Sequence, residues 1–307
     1  MSEPRRRVAR PSLDPEQLKR LYVRGDLRPA LEIVATFGAI AAVFAAYIVY
    51  PMWPVVVGGV VLIGGLQHRL SIIQHEANHY LLFTSRGLNE LGGALTAWPI
   101  GFTMRYRRVH LKHHQALGAE ADPDLYNYRD YPLGPKPFAL DLLLNLSGFA
   151  AATQFMRQSR GDTSGSHRGF DRGLIGVVAA QAGVAGALYA LGRPEAYALL
   201  WLVPLVTVTK TLTHFRNVVE HVQLRDVGDP ELSRYRTIHC NPVERFLFAP
   251  LGFNYHAEHH FYPAIPYHHL REAHRLLAQH PAYDQAVEVD RGYVRTLLGR
   301  AVRREGP

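Results

Sequence analysis

Cysteine is almost missing from this chain: Cys240 is the one thiol in 307 residues. A single thiol excludes an intramolecular disulfide and a cysteine-ligated zinc or iron–sulfur centre, so any bound transition metal has to be held by nitrogen or oxygen. Charge is nearly missing from four stretches, Leu31 to Tyr50, Trp53 to Leu66 running on to Ile73, Gly173 to Leu191 and Ala196 to Thr209. No repeat of diagnostic period and no low-complexity tract is present, which argues against solenoid and linker architectures. Nucleic-acid recognition motifs are absent, so the net charge of +8 is read as a surface facing anionic membrane lipids, and no nucleic-acid partner is expected. No cleavable signal peptide is expected either, because a charged segment of about thirty residues precedes the first apolar run.

A bilayer core takes about 20 mostly apolar residues per helix, a length the four runs meet or approach once their flanks are counted. They come in close pairs, joined at Tyr50 to Pro54 and at Gly192 to Glu195, so each pair reads as a tight helical hairpin. The expected fold is an all-α integral membrane protein with four transmembrane helices in two hairpins. A soluble all-α protein with buried helices is the competing fold, favoured by Gln181, Pro204 and the glycine-rich stretches. The expected segments are a lead-in at 1–30, a first hairpin at 31–74, a polar region at 75–172, a second hairpin at 173–213 and a polar region at 214–307. In the lead-in, Asp14-Pro-Glu-Gln is a signal for a short helix.

Arginine placement sets the orientation. Arg5, Arg6, Arg7 and Arg10, the segment Arg105 to Lys112, and Arg157, Arg160, Arg168 and Arg172 are all expected in the cytoplasm with both termini, and the hairpin tips outside; a bacterial inner membrane fits this reading. Leu88 to Met104, interrupted by Gly92, Gly93 and Pro99, is expected to lie in the interface or fold back rather than span. Pro135 to Met156 is long enough to cross but carries Asp141 and Asn145; a crossing would put the third histidine cluster on the opposite side from the first two, so it too is placed along the interface. Trp53, Trp98 and Trp201 are expected as head-group anchors, with an acyl tunnel as the second reading for Trp98. The last thirty or so residues, with Arg291, Arg295, Arg300, Arg303 and Arg304, suit a basic surface helix.

Histidine is what the chain has in number, 17 residues, and eight fall in three clusters: His75-Glu-Ala-Asn-His79, His110-Leu-Lys-His113-His114 and His256-Ala-Glu-His259-His260. On a helix, residues three and four apart share a face, so each cluster presents its imidazoles together. Chance would give one H-x-x-H-H about once in twenty such sequences, and here there are two. Neutral imidazole suits iron, copper, zinc and nickel, and eight ligands exceed the roughly four that satisfy one zinc, so two metal ions are expected. A non-enzymatic metal-binding membrane protein is the alternative of another class, but it would place its ligands within the spanning pathway.

These clusters resemble the three histidine boxes of the integral-membrane fatty acid desaturase and hydroxylase superfamily, H-x(3,4)-H, H-x(2,3)-H-H and H-x(2,3)-H-H in that order. The resemblance extends to Ala121-Asp-Pro-Asp124 after the second box and to His260-Phe-Tyr-Pro-Ala-Ile-Pro266 with Leu270 after the third. It implies a mushroom shape, four spanning helices under a cytosolic cap that holds two iron ions, with dioxygen as co-substrate and a fatty acyl substrate. It also implies nine histidine ligands, the ninth between the fourth helix and the third box. His221 in Asn217-Val-Val-Glu-His221 is that ligand by resemblance, with Asn217 meeting the metal through water; His214 and His239 compete for the place. The expected ligand set is therefore His75, His79, His110, His113, His114, His221, His256, His259 and His260. Glu76, Glu220 and Glu258 are expected to fix imidazole tautomers by hydrogen bonds. No His-Pro-Gly-Gly haem motif occurs, which implies a separate electron donor of ferredoxin, rubredoxin or cytochrome b5 type. Desaturation is the leading reaction, and a hydroxylase, a ketolase or an alkene-forming decarboxylase would use the same irons. His68 is expected at the membrane interface, and His167, His268, His269, His274 and His280 on the surface.

Overall fold

The computed structural model describes residues 9–160, 171–223 and 232–302; His167 and the arginines Arg5, Arg6, Arg7, Arg168, Arg303 and Arg304 named above lie outside them. Its helices are α1 (Pro15–Leu21), α2 (Leu27–Val49), α3 (Trp53–Asn78), α4 (Arg86–Ala97), α5 (Tyr106–Ala116), α6 (Pro135–Leu146), α7 (Phe149–Arg160), α8 (Gly173–Ala190) and α9 (Glu195–His221). Beyond them follow the strand β1 (Arg236–His239), α10 (Pro242–Leu247), α11 (His256–Phe261), α12 (Leu270–Leu277), α13 (Tyr283–Ala286), the strand β2 (Glu288–Arg291) and α14 (Tyr293–Thr296). Helices α2, α3, α8 and α9 are long and apolar enough to cross a membrane. The expected short helix at Asp14 forms as α1, with Asp14 and Gln17 capping each other. Helices α6 and α7 meet at a 77° bend beside Gly148, whose φ of +79° suits a residue without Cβ. Each half is 12 residues, about 18 Å at 1.5 Å per residue, and so falls short of a bilayer core alone.

The chain divides into two compact units. One comprises Arg24–Val109 and Leu140–Thr213. Its core gathers Tyr47, Val56, Leu188, Ala196 and Leu200 from both hairpins, while Val34, Val57, Ile175 and Val178 are left exposed, as lipid-facing residues would be. Close approach of α3 to α9 needs glycine: a Cβ on Gly64 would lie 2.4 Å from Val208 Cγ1. Polar groups in the spans satisfy one another. Gln67 donates to the Trp201 carbonyl (2.9 Å) and accepts from Thr209 Oγ1 (2.9 Å). Gln181 donates to the Pro99 carbonyl (2.8 Å) and accepts from Tyr197 Oη (3.0 Å) and Trp201 Nε1 (3.1 Å). In hydrocarbon an unpaired polar group costs several kcal/mol, so these bonds are what let Gln181 sit in a span. Around Pro204, which has no N–H to donate, α9 loosens into π-helical turns at Ala198–Leu202 and Leu205–Thr209.

Two expectations change in this unit. Trp201 is 1 % exposed, packed against Phe44 and hydrogen-bonded to Gln181, so it is a core residue and not a head-group anchor. His68 is fully buried in α3, with Nδ1 3.2 Å from Thr213 Oγ1, and does not face an interface. Trp53 is 74 % exposed at the start of α3, as an anchor should be.

The other unit gathers the chain up to Val23, His110–Ala139 and the chain from His214 onward. This unit too is mainly helical, as an all-α fold requires, with one short addition: β1 and β2 pair in parallel, Arg236 opposite Glu288 and His239 opposite Arg291. The C-terminal stretch is accordingly not one basic surface helix. It runs through α13, β2 and α14, with Tyr293, Thr296 and Leu297 buried. Arg236, 1 % exposed, ties the strands to the end of α9: its guanidinium donates to the carbonyls of Val219 and Val222 (3.3 Å) and to Glu288 (3.0 Å), and pairs with Asp290 at 3.3 Å. Burial pushes this guanidinium down to about 10, while Asp290 and Glu220 hold it up, so it stays charged at neutral pH. Carbonyls at a helix C-terminus have no intrahelical donor, and a buried cation meets that need and favours the negative end of the dipole.

Candidate metal centre

Two of the three histidine boxes and His221 fall in the second unit. The second box lies on α5, where His110, His113 and His114 share a face at spacings of three and four. The third lies on α11, a helix of only six residues, with His256, His259 and His260 all buried. The Nε2 atoms converge at two places. His114 Nε2 is 3.1 Å from those of both His110 and His259. His256 Nε2 is 3.1 Å from those of both His221 and His260, and a ring nitrogen of His113 joins those of His221 and His260 within 4.8 Å. His214 packs on Tyr131 and Phe215, and His239 on Tyr255 and His274, so of the three contenders His221 is the one brought to the boxes.

Nitrogen edges that face each other in threes cannot all be hydrogen-bonded, since neutral imidazole has one N–H and one lone pair. The same edges fit a shared cation, because nitrogens about 2.1 Å from one ion can lie about 3 Å apart. Burial, then the neighbouring imidazoles, hold His256 and His260 well below the ordinary imidazole range, which keeps them neutral as ligands must be. The buried Oδ1 of Asn217, one helical turn before His221, has no donor among the described residues, as a group meeting water or an ion would not. The residues present therefore fit a histidine-bound metal.

The first box belongs to the other unit, where α3 runs on past its apolar part as expected. His75 lies in its last turn and His79 caps it, with the rings 5.0 Å apart. The helix end is held without glycine. Tyr80 takes φ +58°, Asn89 Nδ2 donates to the Ala77 carbonyl (3.0 Å), and Arg107 donates to the same carbonyl (2.9 Å) and to Tyr80 Oη (2.8 Å). Burial, with the Arg107 charge second, pushes the His79 imidazole down to about 4, leaving it neutral.

A family model described as fatty acid desaturase matches residues 51–291. The chain belongs to that family. It is 28 % identical over 286 residues to dihydrorhizobitoxine desaturase of Bradyrhizobium elkanii, an alignment covering 84 % of this chain and 79 % of the relative. It is also 26 % identical over 268 residues to the sphingolipid delta(4)-desaturase DES1 of Drosophila melanogaster, covering 85 % of this chain and 77 % of that one. The protein is thus an oxidoreductase of the desaturase type.

The acids around the desaturase's boxes do not divide as the sequence suggested. Glu258 is fully buried but bonds no box imidazole: it accepts from Thr237 Oγ1 (2.5 Å) and Tyr283 Oη, and lies 2.8 Å from His274 Nδ1. His274 is therefore no surface residue; it helps to brace α11. An acid that does fix a box imidazole is Asp122, whose Oδ1 is 2.9 Å from His113 Nδ1. Burial opposes a charge on His113, yet this bond and the charges of Asp124 and Asp122 outweigh it and raise the imidazole's affinity for a proton. Asp122 also accepts from the Gly118 N–H (3.0 Å), the Asp124 N–H (2.9 Å) and Tyr128 Oη. Arg234 donates to the His221 carbonyl (2.9 Å) and covers the Tyr128 ring, linking the two ligand-bearing segments.

Proposed function

We propose that this desaturase is a multi-pass membrane enzyme that uses dioxygen and two electrons to place a carbon–carbon double bond in a fatty acyl chain. The overall change is R–CH2–CH2–R′ + O2 + 2e⁻ + 2H⁺ → R–CH=CH–R′ + 2H2O. In this reading His75, His79, His110, His113, His114, His221, His256, His259 and His260 hold two iron ions, and Asn217 acts through water. The observation that carries it is the convergence of Nε2 atoms at two places, one shared by His110, His114 and His259 and one by His221, His256 and His260. When bound, the metal pair supplies the redox chemistry that oxidises an unactivated methylene. The protein's own part is to keep His79, His256 and His260 neutral by burial, to fix His113 through Asp122, and to brace α11 through Glu258, Thr237, Tyr283 and His274. Electrons come from a separate protein of ferredoxin, rubredoxin or cytochrome b5 type, and the acyl chain reaches the enzyme from the membrane.

The test of reaction supplies deuterated acyl substrate, an electron-donor system and labelled dioxygen to the solubilised enzyme. Loss of two deuterons with label in water alone is expected; label retained in the lipid would make the protein a hydroxylase. Four spanning helices with both termini in the cytoplasm, the orientation that arginine placement favours, put reporters fused at Gly161 and Pro194 on opposite sides of the membrane. The same side for both would overturn that topology.

A further inference from the structure

Glu220 stands one residue before His221 and is 1 % exposed, and its two carboxylate oxygens have different surroundings. Oε1 accepts from Arg216 Nε (3.0 Å) and from Tyr293 Oη (2.9 Å). Oε2 lies 3.5 Å from His256 Nε2, and a carboxylate oxygen of Glu220 is within 4.8 Å of the ring nitrogens that His221 and His256 offer to a metal. Acids that orient a ligating histidine bond the nitrogen away from the metal, as Asp122 does with His113 Nδ1. Glu220 meets His256 on the opposite edge, the one turned toward His221 and His260. His256 Nδ1 is instead approached by Arg216 Nη2 at 3.5 Å. A carboxylate with one oxygen tied to two donors and the other turned to a nest of Nε2 atoms has the form of a monodentate ligand whose second oxygen is hydrogen-bonded.

We propose that Glu220 is a metal ligand, donating Oε2 to the ion shared by His221, His256 and His260, so that one of the two ions has a mixed nitrogen and carboxylate shell and the other an all-imidazole one. The inference rests on the two-metal reading above. A carboxylate adds a negative charge to one ion and makes the pair electronically unequal.

The test uses the detergent-solubilised full chain, stripped of metal and reloaded with Co(II) as the probe. Wild type is expected to bind two ions. Glu220→Gln, which keeps size and hydrogen bonding, is expected to bind one of them about 100-fold more weakly or lose it, with a change in the visible cobalt bands. Its metal-free form should melt below wild type, because the partly buried Arg216 guanidinium loses its charged partner, so ion count and cobalt bands rather than melting decide the matter. Two ions bound with unchanged bands would make Glu220 a structural partner of Arg216 and overturn the proposal. If the variant does not fold, wild type labelled with 13C-glutamate decides: its infrared difference spectrum on Co(II) binding should show a glutamate carboxylate passing to monodentate coordination, and no such band overturns the proposal. A wild type that binds no ion would overturn the two-metal reading and the proposal with it.

Discussion

Replacing Asp122 by Asn tests whether one acid holds the second box together. The buried carboxylate collects four donors, two on each oxygen: His113 Nδ1 and the Asp124 N–H on Oδ1, the Gly118 N–H and Tyr128 Oη on Oδ2. An asparagine with its oxygen in the Oδ1 place keeps the first two, though without charge. Its amide nitrogen then faces the other two. Tyr128 can reverse and accept, but the Gly118 N–H is a donor against a donor and is left unpaired. An unsatisfied buried donor costs about 1–3 kcal/mol, and each charge-assisted bond reduced to a neutral one loses about 1 kcal/mol more. The sum, roughly 3–5 kcal/mol, is large against a total stability of about 5–15 kcal/mol and should lower the melting temperature by on the order of 10 °C. Metal affinity should fall by about 10- to 100-fold, since His113 loses the partner that fixes its tautomer. Both are read on the solubilised protein, by thermal melting of the metal-free form and by competition with a chelator. The pH dependence carries its own sign. Burial raises the Asp122 carboxyl, but the His113 bond and charge and the Tyr128 and Gly118 donors outweigh it and leave the pKa below the ordinary value. The stability it contributes is therefore present above about pH 4 and is lost as pH falls through the depressed value. Wild type should show that acid leg in its metal-free melting curve, and the variant should lack it. Melting within about 2 °C of wild type, with unchanged metal retention, would refute the reasoning.

Gln181→Leu leaves the Trp201 N–H and the Tyr197 O–H without their acceptor and should cost about 1–2 kcal/mol, seen as a lower melting temperature with metal binding intact. Gly64→Ala places a Cβ 2.4 Å from Val208 and should destabilise by about 1–3 kcal/mol, whereas Gly58→Ala, with nothing within 4 Å, should be near neutral; equal melting temperatures would contradict the packing. Burial pushes the Cys240 thiol up, with Arg245 opposing, so the folded state holds the proton and iodoacetamide should react slowly at pH 7.5 and faster only as pH rises above the ordinary thiol range. Rapid alkylation at neutral pH would place Cys240 in a different environment.

What the sequence made legible was whatever repeats at a fixed spacing. Four apolar runs became α2, α3, α8 and α9 because helix length against bilayer thickness is set by composition alone. The second and third boxes became single helices because intervals of three and four are helical neighbours. What was not legible depends on pairing between distant segments. Trp201 passed for an anchor and Gln181 for a blemish in a span, yet each is explained by the other, twenty residues apart and hydrogen-bonded. The pairing of β1 with β2 joins four-residue strands separated by about fifty residues, too short for a period-two signal to stand out. With that pairing unseen, the arginines after Arg291 looked like the face of a helix.

The acids beside the boxes show why spacing alone assigns their roles badly. Glu220 and Glu258 each stand next to a box-type histidine in sequence, and adjacency suggested that they orient it. On an α-helix, though, successive side chains point about 100° apart, and residues i and i+1 do not face each other. An acid adjacent to a ligand is therefore badly placed to bond that ligand's Nδ1. It must turn to something else: Glu258 turns to Thr237, Tyr283 and His274 behind its helix, and Glu220 to Arg216, Tyr293 and the Nε2 edge of His256. The carboxylate that fixes an imidazole has to arrive from outside the box helix, as Asp122 does for His113 after the chain has left α5. A tautomer-setting acid is then to be sought in the loop that follows a box, and the Asp-Pro-Asp after the second box is such a loop, reached once α5 has ended at Ala116 and the chain has turned at Gly118 with φ +76°.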